Sequence, residues 1–161
     1  MFELKVQASM AQKSKKDFIV EQATPMFIET GFKATSIDMV VKKTGVSKPT
    51  VYNHFSDKAE LIHAAVERLI ATAKPMFEPI LSLKELISHF DHDWMTTSTL
   101  SWYALVIGEG RQFPEAKERF WSGFDEDWRQ TFKEATSIDG LGSNQIDDLM
   151  DLHLIRQLRN R

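Results

Sequence analysis

From Lys15 onwards, apolar positions recur along the chain at helical spacing. Ile19, Ala23 and Phe27 share one face of a helix running from about Lys15 to Thr30, where Gly31 ends it and Phe32 packs back. Pro25 lies inside that helix. It removes the bond to the Glu21 carbonyl at a cost of about 3 kcal/mol, so a kink is expected there. Ser36 then serves as an N-cap, and Ile37, Val40 and Val41 form an apolar face behind it. Lys42 and Lys43 sit in the last turn, where positive charge suits the helix dipole, and Gly45 supplies a residue that tolerates φ > 0. Ser47 caps a second short helix with Pro49 in its first turn, where a missing N–H is harmless.

Further on, Leu61, Ile62, Ala65, Val66, Leu69 and Ala73 predict a fourth helix that starts after Ser56 or Asp57 and stops before Pro75 and Pro79. Ser82-x-x-Glu85 is a capping box for the next, with Leu83, Leu86, Ile87, Phe90 and Trp94 as its buried stripe. A helix from about Thr99 to Glu109 carries Leu100, Tyr103, Ala104 and Ile107 and is broken by Gly108 and Gly110. Pro114 opens a long amphipathic helix bearing Phe113, Ala116, Phe120, Phe124, Trp128 and Phe132. After a glycine-containing loop, Ile146, Leu149, Met150, Leu154 and Leu158 form the apolar face of a last helix. Asp147 and Asp148 lie at its start, and Arg156, Arg159 and Arg161 at its end. The fold class is all-α.

The helix after Ser47 is too short and too polar to exist for packing alone. Only Val51 and Phe55, four apart, can face a core. Ser47, Lys48, Thr50, Tyr52, Asn53 and His54 are left for the other faces, and such groups bond to phosphate oxygens and base edges. Two short helices separated by Gly45 have the layout of a helix-turn-helix. With its flanks, this stretch resembles the DNA-binding domain of the TetR (tetracycline repressor) family. The match rests on Ile19, Ala23, Phe27, Gly31-Phe32, Thr35, Ile37, Gly45-Val46-Ser47, Thr50, Tyr52-Asn53-His54-Phe55, Lys58 and Leu61. The opening of the Pro114 helix, RQFPEAKERFW, resembles the corresponding family helix more weakly.

The resemblance implies an N-terminal three-helix DNA-binding head and a C-terminal helical ligand-binding and dimerisation body. Residues 1–14 are read as a flexible basic arm, 15–60 as the head and 61–161 as the regulatory body. It also implies a homodimer on a palindromic double-stranded operator, a small-molecule effector of unknown identity, and no cofactor. The expected DNA-binding residues are Thr35, Ser36, Ser47, Lys48, Pro49, Thr50, Tyr52, Asn53, His54 and Lys58. Lys48, Thr50 and Tyr52 are expected to reach bases or flanking phosphates, and Thr35, Ser36, His54 and Lys58 to hold phosphates. Family members usually run longer and end in two long helices that form the dimer interface. The chain is short there, which leaves open whether its last helices suffice, whether it is truncated, or whether dimerisation is impaired.

Charge supports a two-part reading. Residues 1–58 carry nine Lys/Arg and six Asp/Glu, whereas 59–161 carry eleven and seventeen, so a positive head sits on a negative body. With no cysteine, disulfides and thiolate metal sites are excluded. The longest apolar runs, such as Trp102 to Ile107, are too short for a membrane span, and a cytoplasmic location is expected.

The body is rich in aromatic residues, and Phe90, Trp94, Trp102, Tyr103, Phe120 and Trp121 are candidates to line a pocket for an apolar or amphipathic ligand. Core and interface is the more ordinary role for such residues. His89 and His92, flanked by Asp91 and Asp93, have metal-ligand spacing but no further ligand at readable spacing, so no metal is assigned. No nucleophile elbow, P-loop or Rossmann fingerprint is present, and a catalytic role is not expected. The sequence therefore predicts a DNA-binding transcriptional regulator, a repressor released by a ligand. The alternative is a ligand-binding or interaction protein on the same fold that no longer reads DNA.

Overall fold

The computed structural model describes residues 14–160. Residues 1–13, which hold nearly all of the predicted arm, and Arg161 lie outside the described residues. The described part is all-α, in the order α1 (Lys15–Thr30), α2 (Ile37–Thr44), α3 (Lys48–His54), α4 (Lys58–Thr72), α5 (Leu83–His89), α6 (Thr97–Glu109), α7 (Pro114–Arg119), α8 (Glu126–Ala135) and α9 (Ser143–Arg159). No helix among the described residues is long and apolar enough to cross a membrane.

The N-terminal caps follow the local sequence. Ser14, Ser36, Ser47, Asp57, Ser82 and Thr96 each accept a backbone N–H three residues on. Gly45 closes α2 in the left-handed region at φ 70°. Helix α1 is continuous through Pro25, which lies on its exposed face, so the missing backbone donor is on the solvent side of the helix. In the box at α5, Ser82 Oγ accepts the Glu85 N–H, while the Glu85 carboxylate accepts from Leu81, one residue earlier than the usual partner.

Two predicted helices are interrupted by wider turns. Helix α5 runs on through a π-type turn at Phe90–Trp94, and α7 joins α8 through another at Phe120–Asp125. At the second turn the chain is pressed against α4. A Cβ on Gly123 would lie 2.2 Å from Arg119 Nη1 and 2.6 Å from Ile70 Cδ1, so only glycine fits without displacement. Helix α6 begins at Thr97 and keeps Gly108 inside it; only Gly110 departs, into a short 3₁₀ turn packed on Lys117. Its buried face is Thr99, Trp102, Tyr103 and Val106, rotated from the predicted stripe, and Ala104 and Ile107 are exposed. Leu83, also predicted as buried, is half exposed in the first turn of α5.

A continuous apolar core runs from α1 to α9. Phe32, in the turn after α1, is its junction: its ring lies 5.8 Å from Phe27, 6.1 Å from Trp102 and 5.6 Å from Phe113. Helix α4 packs on α1 at one side and on α7 at the other. The link between α4 and α5 is pinned to the end of α8 by backbone bonds from Ile80 N to Ala135 O and from Ser137 N to Ile80 O.

Candidate nucleic-acid interface

Helix α3 buries Val51 and, just past its end, Phe55, and these two side chains fix which way the helix faces. The remaining faces are turned out as the spacing predicts. Ser47, Lys48, Pro49 and Asn53 are exposed, Tyr52 is 46% exposed, and Thr50 and His54 are half-buried. Ser47 Oγ caps the Thr50 N–H and lies 2.7 Å from the Thr50 hydroxyl, so these two form one polar corner. Ser36 is exposed at the start of α2, with its Oγ accepting from Met39 N.

Lys48 is held by Asp38 of α2 at 2.7 Å across an exposed gap. The hydrogen bond to Asp38, followed by its charge, raises the Lys48 pKa above its ordinary value. A DNA phosphate would have to displace this carboxylate, and Asp38 is an acidic group at the edge of the surface that sequence reasoning did not weigh.

The structure moves two predicted phosphate contacts inward. Thr35 is fully buried, and its hydroxyl donates to Gly31 O at 2.8 Å and Met26 O at 3.2 Å. Lys58 is half-buried and folds back over the turn between α1 and α2. Its ammonium donates to the carbonyls of Phe32 (2.8 Å), Lys33 (3.0 Å) and Thr35 (3.0 Å), and lies 5.6 Å from the Phe113 ring centroid. All three of its protons are thereby engaged. The start of α4 is also less attractive to an anion than its dipole alone implies, because Asp57 and Glu60 already occupy it. Both residues therefore brace the head internally. Lys33, Lys42 and Lys43, by contrast, are exposed near the α1–α2 turn and on α2.

Two carboxylates tie the later helices to the earlier ones, one to the α1–α2 turn and one within α4. Glu109, in the last turn of α6, accepts the Lys33 N–H at 2.7 Å and fills the space beside Gly31, whose φ of 97° and tight surroundings both exclude a side chain. Glu67 on α4 takes two bonds from Arg119 on α7. The Arg119 hydrogen bond holds its carboxyl below the usual range.

In the body, the six aromatics proposed as pocket walls are packed as core. Phe90, Trp94, Trp102, Tyr103 and Phe120 are at most 1% exposed and Trp121 is half-buried; Trp102 serves the junction with Phe32. Four surface clefts of about 410–570 Å³ are lined by none of them. Instead they surround a polar chain that the sequence did not disclose. Trp94 Nε1 donates to the Tyr103 hydroxyl at 3.2 Å, and that hydroxyl donates to Asp125 Oδ1 at 2.5 Å. Asp125 Oδ2 accepts from Arg129, which also reaches Asp147 and Asp151 on α9. Burial, reinforced by the Asp125 charge, pushes the Tyr103 phenol far up, so it stays a donor. Burial opposes the charge on Arg129, but its bonds to Asp125 and Asp151 outweigh that and raise its pKa.

The two histidines considered for metal are turned to separate partners: His89 Nδ1 to Asp93 at 2.5 Å, and His92 Nδ1 to the Ser88 carbonyl at 2.8 Å. Asp91 pairs with His153 of α9 at 2.9 Å.

Residues 19–65 match the family model described as bacterial regulatory proteins, tetR family. Among curated proteins, an HTH-type transcriptional regulator of Bacillus subtilis, YhgD, is 38% identical over 60 residues, covering 37% of this chain and 31% of that one. The HTH-type transcriptional activator FasR of Mycolicibacterium smegmatis is 41% identical over 46 residues, covering 29% and 21%. The negative transcriptional regulator IcaR of the icaADBC biofilm operon in Staphylococcus epidermidis is 33% identical over 52 residues, covering 32% and 28%. The matches thus span less than a third of these relatives' lengths. Over nearly the whole chain, the fold is similar to a TetR-family regulator structure from Mesorhizobium loti, with a TM-score of 0.60 at 16% identity over 91% of this chain and 98% of that one. Salmonella enterica GusR gives a TM-score of 0.57 at 20% identity over 89% and 80%. Over residues 19–65 this chain therefore carries a helix-turn-helix unit of the tetR family of bacterial regulatory proteins, and its fold is similar to that of TetR-family regulator structures.

Proposed function

We propose that this protein is a sequence-specific DNA-binding transcriptional regulator that acts as a repressor. The observation that carries the reading is the division of α3: Val51 and Phe55 anchor it, while Ser47, Lys48, Thr50, Tyr52 and Asn53 face outward or to the rim beside the exposed lysines of α2. A helix held in this way can enter a major groove, with its hydroxyls, amide and ammonium on phosphates and base edges. Residues 15–60 act as the DNA-binding head and 61–161 as the regulatory body, and two copies engage the halves of a palindromic operator.

Control by a small ligand follows from the mechanical links. Helix α4 packs against α1 in the head and is tied to α7 through Glu67 and Arg119, while Glu109 of α6 grips the α1–α2 turn. A ligand that binds one arrangement of the body better than the other shifts the head's position by that difference in affinity. The rival reading, a ligand binder that has lost DNA recognition, draws on the Asp38–Lys48 pair and the inward Lys58.

Salt-dependent binding to duplex DNA separates the two. If the head neutralises phosphates, log K falls linearly with log salt. Tyr52→Ala weakens binding while the circular dichroism spectrum and urea midpoint are preserved. Salt-independent binding, or binding that Tyr52→Ala leaves unchanged, would support the rival.

A further inference from the structure

An open ion pair joins the two short helices of the head. Lys48 is the first residue of α3 and stands one turn before Tyr52, so these two share a side of that helix. Asp38 lies in the first turn of α2 and reaches across to it, Oδ1 to Nζ at 2.7 Å. The lysine and aspartate side chains are 51% and 72% exposed, and neither makes another hydrogen bond or ion pair among the described residues. An ion pair so exposed adds little to folding. Beyond their mutual bond, both groups keep hydrogen-bonding capacity that these residues leave unused: protons on the ammonium and the second oxygen of the carboxylate.

For a phosphate the carboxylate is an obstacle. For a G·C base pair it is the other half of a match. The major-groove edge of that pair offers two adjacent acceptors on guanine, N7 and O6, and then a donor on cytosine, N4–H. O6 and N4 share a Watson–Crick hydrogen bond and so lie about 2.9 Å apart. Lys48 and Asp38 present a donor and an acceptor at nearly that separation, in the complementary sense. The ammonium can donate to O6 and N7 with the protons not used on Asp38, and the carboxylate can accept the N4–H that faces the groove. The ion pair then binds DNA without being broken. An A·T pair places its donor between two acceptors and ends in the thymine methyl, so it gives the ammonium no two adjacent acceptors.

We propose that Asp38 and Lys48 act together as a specificity element that reads one G·C pair in each operator half-site, with Lys48 on guanine and Asp38 on the cytosine N4–H. The inference rests on the reading of α3 as a DNA-reading helix, and it names one base pair that the helix selects. It also gives α2 a part in recognition, through a residue outside the expected contact set. Specificity is gained against general affinity: a carboxylate facing DNA is repelled by the backbone everywhere and is offset only at the correct pair.

The test uses the full chain in selection of bound duplexes from random DNA, with wild type and Asp38→Ala in parallel, the variant's fold being checked by circular dichroism. Wild type should enrich a motif with a G·C pair in each half-site at which Asp38→Ala relaxes the preference by about tenfold. The selected operator is then rebuilt with N4-methylcytosine at that pair, which keeps Watson–Crick pairing and puts a methyl group where the groove-facing proton was. Wild type should lose about tenfold in affinity for the methylated duplex and Asp38→Ala less than about twofold, a difference that a merely structural ion pair would not produce. A motif without a G·C requirement, the same motif from both proteins, or equal sensitivity of both to the methyl group would overturn the proposal and leave the DNA-reading function standing. Failure of the wild type to enrich any motif would overturn both.

Discussion

Replacing Lys58 by methionine removes the ammonium and keeps most of the aliphatic stem. In the folded head that ammonium donates to three carbonyls in the turn joining α1 to α2, two of them in partly buried bonds and one in an exposed one. Hydrogen bonds to charged groups contribute about 1.5–3 kcal/mol each. The full sum is not expected, because water can replace the bond to the Lys33 carbonyl and the ammonium itself is desolvated when it folds back. A net loss of about 2–4 kcal/mol remains. That is a large part of the 5–15 kcal/mol typical of a whole protein. Urea unfolding followed by circular dichroism should therefore show Lys58→Met lowering the midpoint by about 1–2 M with the slope unchanged. Lys58→Arg should recover only part of the loss, because a planar guanidinium cannot point three protons at one converging set of carbonyls. A loss below about 0.5 kcal/mol, within the range of ordinary surface substitutions, would refute the bracing role. Weakened DNA binding in that same stable variant would return Lys58 to the phosphate contacts expected from sequence.

Three further outcomes are expected. Asp38→Asn frees Lys48 and removes a negative charge beside the reading helix, so DNA affinity should rise several-fold at low salt and the gain should shrink as salt is added; unchanged affinity would mean that Lys48 does not meet the backbone. Tyr103→Phe strips the donor from Asp125 and the acceptor from Trp94 Nε1 at once, and should destabilise the body by about 1–3 kcal/mol in calorimetric or urea unfolding; a neutral result would contradict the buried chain. The Glu67–Arg119 contact should be acid-sensitive. Glu67 has a folded pKa below its ordinary 4.5, so its stabilisation is present above that value and is lost as pH falls through the lowered one. At 42% exposure it contributes at most about 1 kcal/mol, and the stability of wild type and Glu67→Gln should converge in that acid range; a constant gap would exclude the ion pair as the cause.

What sequence could disclose here was local. The caps at Ser36, Ser47 and Ser82, the glycine at 45 and the spacing of Val51 and Phe55 act within a turn or two, so α1 to α3 could be read almost to the residue. The same spacing showed that Lys48 and Tyr52 leave the core. It could not show that Lys58 turns inward, because the carbonyls it serves lie in the α1–α2 turn and come within reach only once α4 packs on α1; the Thr35 bond to Gly31 O is local, but its residue type fits a phosphate contact equally well. In the body the aromatic stripes were legible as apolar faces, but whether facing rings close up or leave a hollow depends on how the helices meet. The Tyr103–Asp125 bond joins separate helices with no spacing signal, whereas Asp125 and Arg129 are an i, i+4 pair along one helical stretch. The π turns at 90–94 and 120–125 shift the phase of their helices, which is where periodicity carries least information.

Selection of bound duplexes from a random DNA pool, at roughly physiological salt, tests the central claim that α3 reads sequence. The account predicts enrichment of a palindromic motif whose half-sites are spaced near one helical turn, and loss of that enrichment with Tyr52→Ala. A folded wild-type protein that enriches no motif would contradict it and leave a ligand-binding protein on a tetR-family fold.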